Sequence, residues 1–124
     1  MANIIHRQNY LISLNIQDNA RFVITVNLGF KPDTMIVKLI NCADISEEEG
    51  TPNTFLIYCS DIKQYIGSFT SSTCNITPNL IFDLKGATIN TDWTFEIHNI
   101  SKQMANPAEV KVALALHLEF LEHL

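Results

Sequence analysis

Basic residues are scarce in this chain. Eight Lys plus Arg stand against thirteen Asp plus Glu, a formal net charge of −5 over 124 residues. A protein that wraps nucleic acid presents a basic face to the phosphates, and one that lies on an anionic bilayer does the same. The composition therefore argues against both partners. Glycine is equally sparse, with four residues at 29, 50, 67 and 86. That leaves no phosphate-cradling loop, and Gly67-Ser68 lacks the second glycine of a nucleophile elbow. Three cysteines are an odd number and do not form a disulfide framework. No apolar run reaches the ~18 residues of a spanning helix. The first ten residues include His6, Arg7, Gln8 and Asn9 and so lack the apolar centre of a signal peptide. Export through such a peptide is not expected.

Hydrophobic residues make up 47% of the chain, enough for one globular domain over residues 1–124. The most informative stretch is Glu109 to His123. Val110, Val112, Leu114, Leu116, Leu118 and Phe120 occupy every second position, separated by Lys111, Ala113, Ala115, His117, Glu119 and Leu121. In a strand this sends six large apolar side chains to one face. A helix is the rival, because Asn106, Pro107 and Glu109 resemble a cap, a first-turn proline and a third-position acid. Wound at about 100° per residue, however, the six would spread around the whole cylinder. The sustained alternation favours the strand.

The same period recurs along the chain. Residues 9–17 alternate through Tyr10, Ile12, Leu14 and Ile16, and a second set runs through Phe22, Ile24, Val26 and Leu28. The run from Thr34 to Cys42 is almost continuously apolar, which suits a strand covered on both faces. Ala43 to Asn53 reads as a solvated loop; its Glu47-Glu48-Glu49 lacks the alternate-position spacing of a calcium loop. Further strands are expected at Thr54–Ser60, at a short edge segment 64–70 broken at Gly67, at Leu80–Leu84 and at Trp93–His98. Asp61 to Pro78 is the least regular part. The expected fold is an all-β, antiparallel β-sandwich of jelly-roll type with seven or eight strands.

Little in the sequence points to chemistry. His6, His98, His117 and His123 lack the spacing of a zinc site. Cys42 and Cys59 fall inside apolar strands, where a thiol is inert. If 34–42 and 54–60 formed a hairpin, those two cysteines would sit roughly 16 Å out of register at ~3.3 Å per residue, beyond disulfide reach. Sugar recognition would use Trp93 near Asp92 and Asn90, or Tyr58 and Tyr65; a core position is the ordinary role for Trp93. No cofactor or metal is implied, and enzyme is the least supported class.

Three segments carry a family likeness. Phe22 to Asp33, FVITVNLGFKPD, leads into Met35-Ile36-Val37-Lys38, and the chain nearly ends in His117-Leu118-Glu119-Phe120. Together they resemble the small single jelly-roll subunits that build or decorate the capsids of large DNA viruses. The resemblance implies an eight-stranded jelly roll whose role is assembly, with no catalytic residues to transfer. A strand of about twelve residues spans roughly 40 Å, against a radius of gyration of about 14 Å for a globule of this size. It must bend, carry a bulge or reach a neighbour. The expected function is thus a non-enzymatic, self-associating subunit of a virion, or one held in the cytoplasm of the producing cell. Its partners would be copies of itself or other particle subunits. Ala113, Ala115 and His117, the small outward residues of the last strand, are the candidate subunit interface. The alternative is a carbohydrate- or receptor-binding module with a glycan ligand.

Overall fold

Each long alternating segment of the sequence becomes a strand and turns its larger apolar side chains towards one interior. The computed structural model describes residues 3–16, 21–45, 53–71, 74–84, 91–103 and 111–124. Among them run β1 (Ile4–Ile16), β2 (Arg21–Asn27), β3 (Thr34–Asp44), β4 (Thr54–Cys59), β5 (Gln64–Thr70), β6 (Cys74–Ile76), β7 (Leu80–Asp83), β8 (Asp92–Asn99) and β9 (Val112–His123). A single 3₁₀ turn follows β8 at Ile100–Gln103, and the described residues contain no α-helix.

The strands form two antiparallel sheets. The first has the order β1-β9-β3-β6, with β7 also paired to β3; the second has the order β2-β8-β4-β5. Residues 112–123 are therefore strand rather than helix, while the cap-like Asn106, Pro107 and Glu109 lie outside the described residues. The reason is visible in the packing. Val112, Leu114, Leu116, Leu118 and Phe120 are all fully buried, and β9 is laddered on both edges, by β1 and by β3. Opposite them the second sheet supplies Phe55, Ile57 and Cys59 from β4 and Trp93, Phe95 and Ile97 from β8. Phe120 sits at the crossing, with ring centroids 6.1 Å from Trp93, 6.4 Å from Phe95 and 6.4 Å from Tyr10. Burial of so many large side chains, each worth about 1.5–3 kcal/mol, is what holds the sheets face to face.

The long strands are accommodated by bulges in their partners. Register shifts occur between Ile4 and His6 in β1, between Val37 and Leu39 in β3, and beside Ile57 and Tyr58 where β4 meets β5. Each bulge adds local twist, so that a strand of this length wraps the core. The expected break at Gly67 is replaced by a continuous β5 carrying such a bulge at Ile66. Glycine at 67 is needed for space: a Cβ there would lie 2.7 Å from Ile40 Cδ1 of the opposite sheet.

Strands β3 and β4 enter different sheets instead of forming a hairpin, so Cys42 and Cys59 lie in opposite layers. Among the described residues there are nine strands, two of which, β6 (which the irregular stretch conceals) and β7, both pair with β3. Pro78 lacks a ladder donor and Asn79 has a positive φ of 48°, which separates the two. The Glu47-Glu48-Glu49 run lies outside the described residues.

Phe120→Ala is expected to cost about 3–5 kcal/mol, a large part of the ~5–15 kcal/mol that holds such a domain. Gly67→Ala should cost about 1–3 kcal/mol through overpacking against Ile40. Urea unfolding followed by far-ultraviolet circular dichroism measures both. A Phe120→Ala protein as stable as the parent would mean that the sheets do not depend on this crossing.

Candidate functional site: the outer face of the first sheet

Alternation sends one half of β9 into the core and the other half to the opposite face. Ala113, Ala115 and His117 lie there, half-buried. Register sets Asn15 and Ala43 beside Ala113, Ser13 and Asn41 beside Ala115, and Leu11 and Leu39 beside His117. A fourth row runs Asn9, Glu119, Ile36 and Ile81 across four strands. Small side chains thus form a floor, and Leu11, Leu39, Ile36 and Ile81 rise around it. Leu11 is 68% exposed and Ile81 70%. In these four rows Glu119 is the only carboxylate; Lys38 is the extra residue of the bulge between Val37 and Leu39, opposite His117, and the adjoining row carries Arg7, Leu121, Thr34 and Asp83. His117 Nε2 lies 2.9 Å from Asn9 Oδ1, which holds the ring against β1.

A solvated sheet face ordinarily carries charges and long polar side chains. This one mixes alanines, amides and a serine with four larger apolar side chains, and two of those, Leu11 and Ile81, are well exposed. Sequence reasoning names the three β9 residues and misses the four larger ones. Leu11 was the available signal, since it is a large apolar residue on the polar side of an alternating strand.

The remaining polar groups occupy separate places. His6 Nδ1 pairs with Glu122 Oε1 at 2.7 Å and stacks on Phe30 with centroids 5.1 Å apart. His123 Nδ1 lies 2.7 Å from Asp33 Oδ1, and the His123 amide donates to Asp33 Oδ2 at 2.6 Å. Among the described residues no three His, Cys, Asp or Glu side chains converge as metal ligands. Burial pushes the Cys42 and Cys59 thiols up to about 11, with the neighbouring Cys74 adding to the effect on Cys42 and the Ile62 and Asp61 amides opposing it at Cys59. Such thiols are poor nucleophiles at neutral pH.

Trp93 is 1% exposed and belongs to the core, which removes it from sugar recognition. Tyr58 and Tyr65 behave differently. They meet on the outer face of the second sheet with centroids 5.0 Å apart, and Tyr58 stacks on His98 at 5.9 Å. His98 Nε2 is 3.2 Å from Glu96 Oε1, while the Ser60 hydroxyl donates to Glu96 Oε2 at 2.9 Å. Tyr65 is 55% exposed.

No protein-family model matches the sequence, and no curated protein matches it. Among solved structures the chain is similar to VP2 of infectious bursal disease virus, determined as a subviral particle. The TM-score is 0.53 over 97% of this chain, at 10% sequence identity. The chain spans about a third (34%) of the length of that protein. At such an identity the likeness is one of fold: an all-β sandwich shared with a protein of a viral particle.

Asp33 ties the open ends of the first sheet together. Besides the His123 contacts, its carboxylate accepts from the Thr34 hydroxyl at 2.7 Å, its amide donates to the Leu121 carbonyl, and its carbonyl accepts from the Leu84 amide. Burial pulls the carboxyl upward. The hydrogen bonds from the His123 amide, the Thr34 hydroxyl and the His123 ring, with the field of that ring, outweigh it and hold the group below its ordinary 3.8. A carboxyl lowered by folding contributes stability above its unfolded value, and loses it as pH falls through the folded one. Asp33→Asn should therefore lower stability by about 1.5–3 kcal/mol at neutral pH, the range for hydrogen bonds to a charged group. The gap between the two proteins should close as the buffer is taken below the ordinary carboxylate value. Denaturant unfolding across that range measures it, and a pH-independent gap would show that the charge of Asp33 contributes nothing.

Proposed function

We propose that this chain is a non-enzymatic structural subunit of jelly-roll type that assembles with copies of itself, as part of a virus particle. The observation that carries the reading is the outer face of the first sheet, where the exposed Leu11 and Ile81, with Leu39 and Ile36, surround the small residues Ala113 and Ala115 beside His117. Strand order supports the jelly-roll assignment. If β6 and β7 are taken as one strand interrupted at Pro78-Asn79, the sheets read 1-8-3-6 and 2-7-4-5 over eight strands, with β8 and β9 renumbered 7 and 8. That is two four-stranded sheets joined by Greek-key crossings. The fold likeness to a subviral-particle protein supports the viral setting. The narrower kinship with small subunits of large DNA viruses rests on the FVITVNLGFKPD, MIVK and HLEF segments. The site of action would be the virion, or the cytoplasm of the producing cell during assembly.

A second reading, a carbohydrate-binding sandwich, is favoured by one observation. The Tyr58–Tyr65–His98 cluster with Glu96 combines exposed ring surface with a carboxylate, the pairing that sugar recognition uses. A glycan array probed with the parent chain and with Tyr65→Ala separates the two readings: binding lost on that substitution supports the second.

The assembly reading predicts a discrete multimer in sedimentation or light-scattering mass measurements at micromolar concentration. Ala115→Glu places an uncompensated charge at the centre of the face, where a packed interface does not tolerate it. The variant should keep its circular dichroism and melting temperature while its mass falls to that of the monomer. If it unfolds, the face is covered within the monomer. If fold and mass both persist, the face is solvated and the reading fails.

A further inference from the structure

The shortest strand carries a cysteine opposite one that the core buries. In the β3–β6 ladder Cys74 is the register partner of Cys42. Opposed residues of an antiparallel pair send their side chains to the same face, and Cys74 packs against the same core that encloses Cys42. Their Cα atoms are separated by the ladder spacing of about 4.5–5.5 Å, inside the roughly 4.4–6.8 Å that a disulfide spans. The thiols are near enough to hydrogen-bond, and neither cysteine is in a disulfide. Cys59 stands in the opposite sheet.

We propose that Cys42 and Cys74 form a latent cross-strand disulfide, which closes under oxidising conditions and fastens β6 to β3. The register sets the pairing, and exposure sets the order of events. Cys74 is half-buried and Cys42 is enclosed, so an oxidant of the disulfide class, such as oxidised glutathione, meets Cys74 first. The Cys74 thiolate attacks one sulfur, forming a mixed disulfide and releasing one glutathione thiol. Cys42 then gives its proton to solvent, and its sulfur displaces the second glutathione. Two protein thiols lose two electrons and two protons in all, and one oxidised glutathione becomes two reduced ones. The second step is slow near neutrality, because so little of the buried thiol is ionised.

Closure exchanges one contact for another. The Cys42 thiol donates to the Thr70 carbonyl of β5 at 3.0 Å, and that donor is lost. In return β6 is secured. Among the described residues its ladder to β3 contains the pairs Ile40–Ile76, Asn41–Asn75 and Cys42–Cys74, and beyond it the strand is interrupted at Pro78. A covalent link between residues 42 and 74 also restricts the unfolded chain.

The test incubates the full chain with oxidised glutathione at mildly alkaline pH. The sample is then quenched in acid, unfolded and alkylated, and its peptides are read by mass spectrometry. The expected product is a Cys42–Cys74 linked peptide with Cys59 alkylated, and a melting temperature raised above that of the reduced protein. Cys74→Ser, at a half-buried position that tolerates a hydroxyl, should give no link and no rise. Persistent glutathione on Cys74 with Cys42 alkylated would overturn the proposal, as would a link through Cys59 or a Cys74–Cys74 bond between chains. A linked protein that melts below the reduced one would overturn the fastening role.

Discussion

The whole molecule depends on the burial of one row of side chains against another across the sandwich. Val112, Leu114, Leu116, Leu118 and Phe120 of β9 face Trp93, Phe95 and Ile97 of β8, and all are at most 1% exposed. β9 is also the strand through which β1 reaches the rest of the first sheet. Hydrophobic burial is non-directional, and the ladders supply the direction that it lacks. Without β9, β1 would have no partner among the described strands, and Tyr10 would lose its edge-on contact with Phe120.

Polar contacts close the ends of this apolar layer. The Tyr10 hydroxyl of the first sheet donates to the Asn27 carbonyl of the second, and Asn27 in turn donates to Asp92. At the end of β9, Asp33 gathers the start of β3, the end of β9 and the residue after β7. Each bond is worth little beside the core, on the order of 0.5–3 kcal/mol net. The Tyr10–Asn27 bond fixes the relative placement of the two layers, and the Asp33 contacts fix the strand ends within the first sheet.

Commitment of the large residues of β9 to the core has a consequence for its other face. A central strand is flanked closely on both sides, so small residues at 113 and 115 leave a shallow floor that neighbouring strands do not fill. Leu11, Leu39, Ile36 and Ile81 stand around this floor, contributed by three different strands. The same strand thereby lines two surfaces, one in the core and one on the outer face of the first sheet. On the opposite side of the sandwich, the second sheet exposes aromatic rings and a carboxylate instead. The two outer faces are chemically distinct.

Local patterning determined the strand character of β1, β2, β3, β4, β8 and β9, because a side-chain period of two is written in the identities of neighbouring residues. It also determined which half of β9 is buried, and that Cys42, Cys59 and Trp93 are interior. Pairing across sheets is a different matter, since it depends on residues far apart in the chain. Only the tertiary structure decided that β3 and β4 part into separate layers, and that three bulges let long strands wrap a small core. It alone brought Cys74 opposite Cys42, in a three-residue strand too short to show any period. The same holds for most of the outer face: Leu11 stands out within its own strand, but Leu39 and Ile81 do not, and the three become one surface only when β9 and β3 set β1 and β7 in register around them.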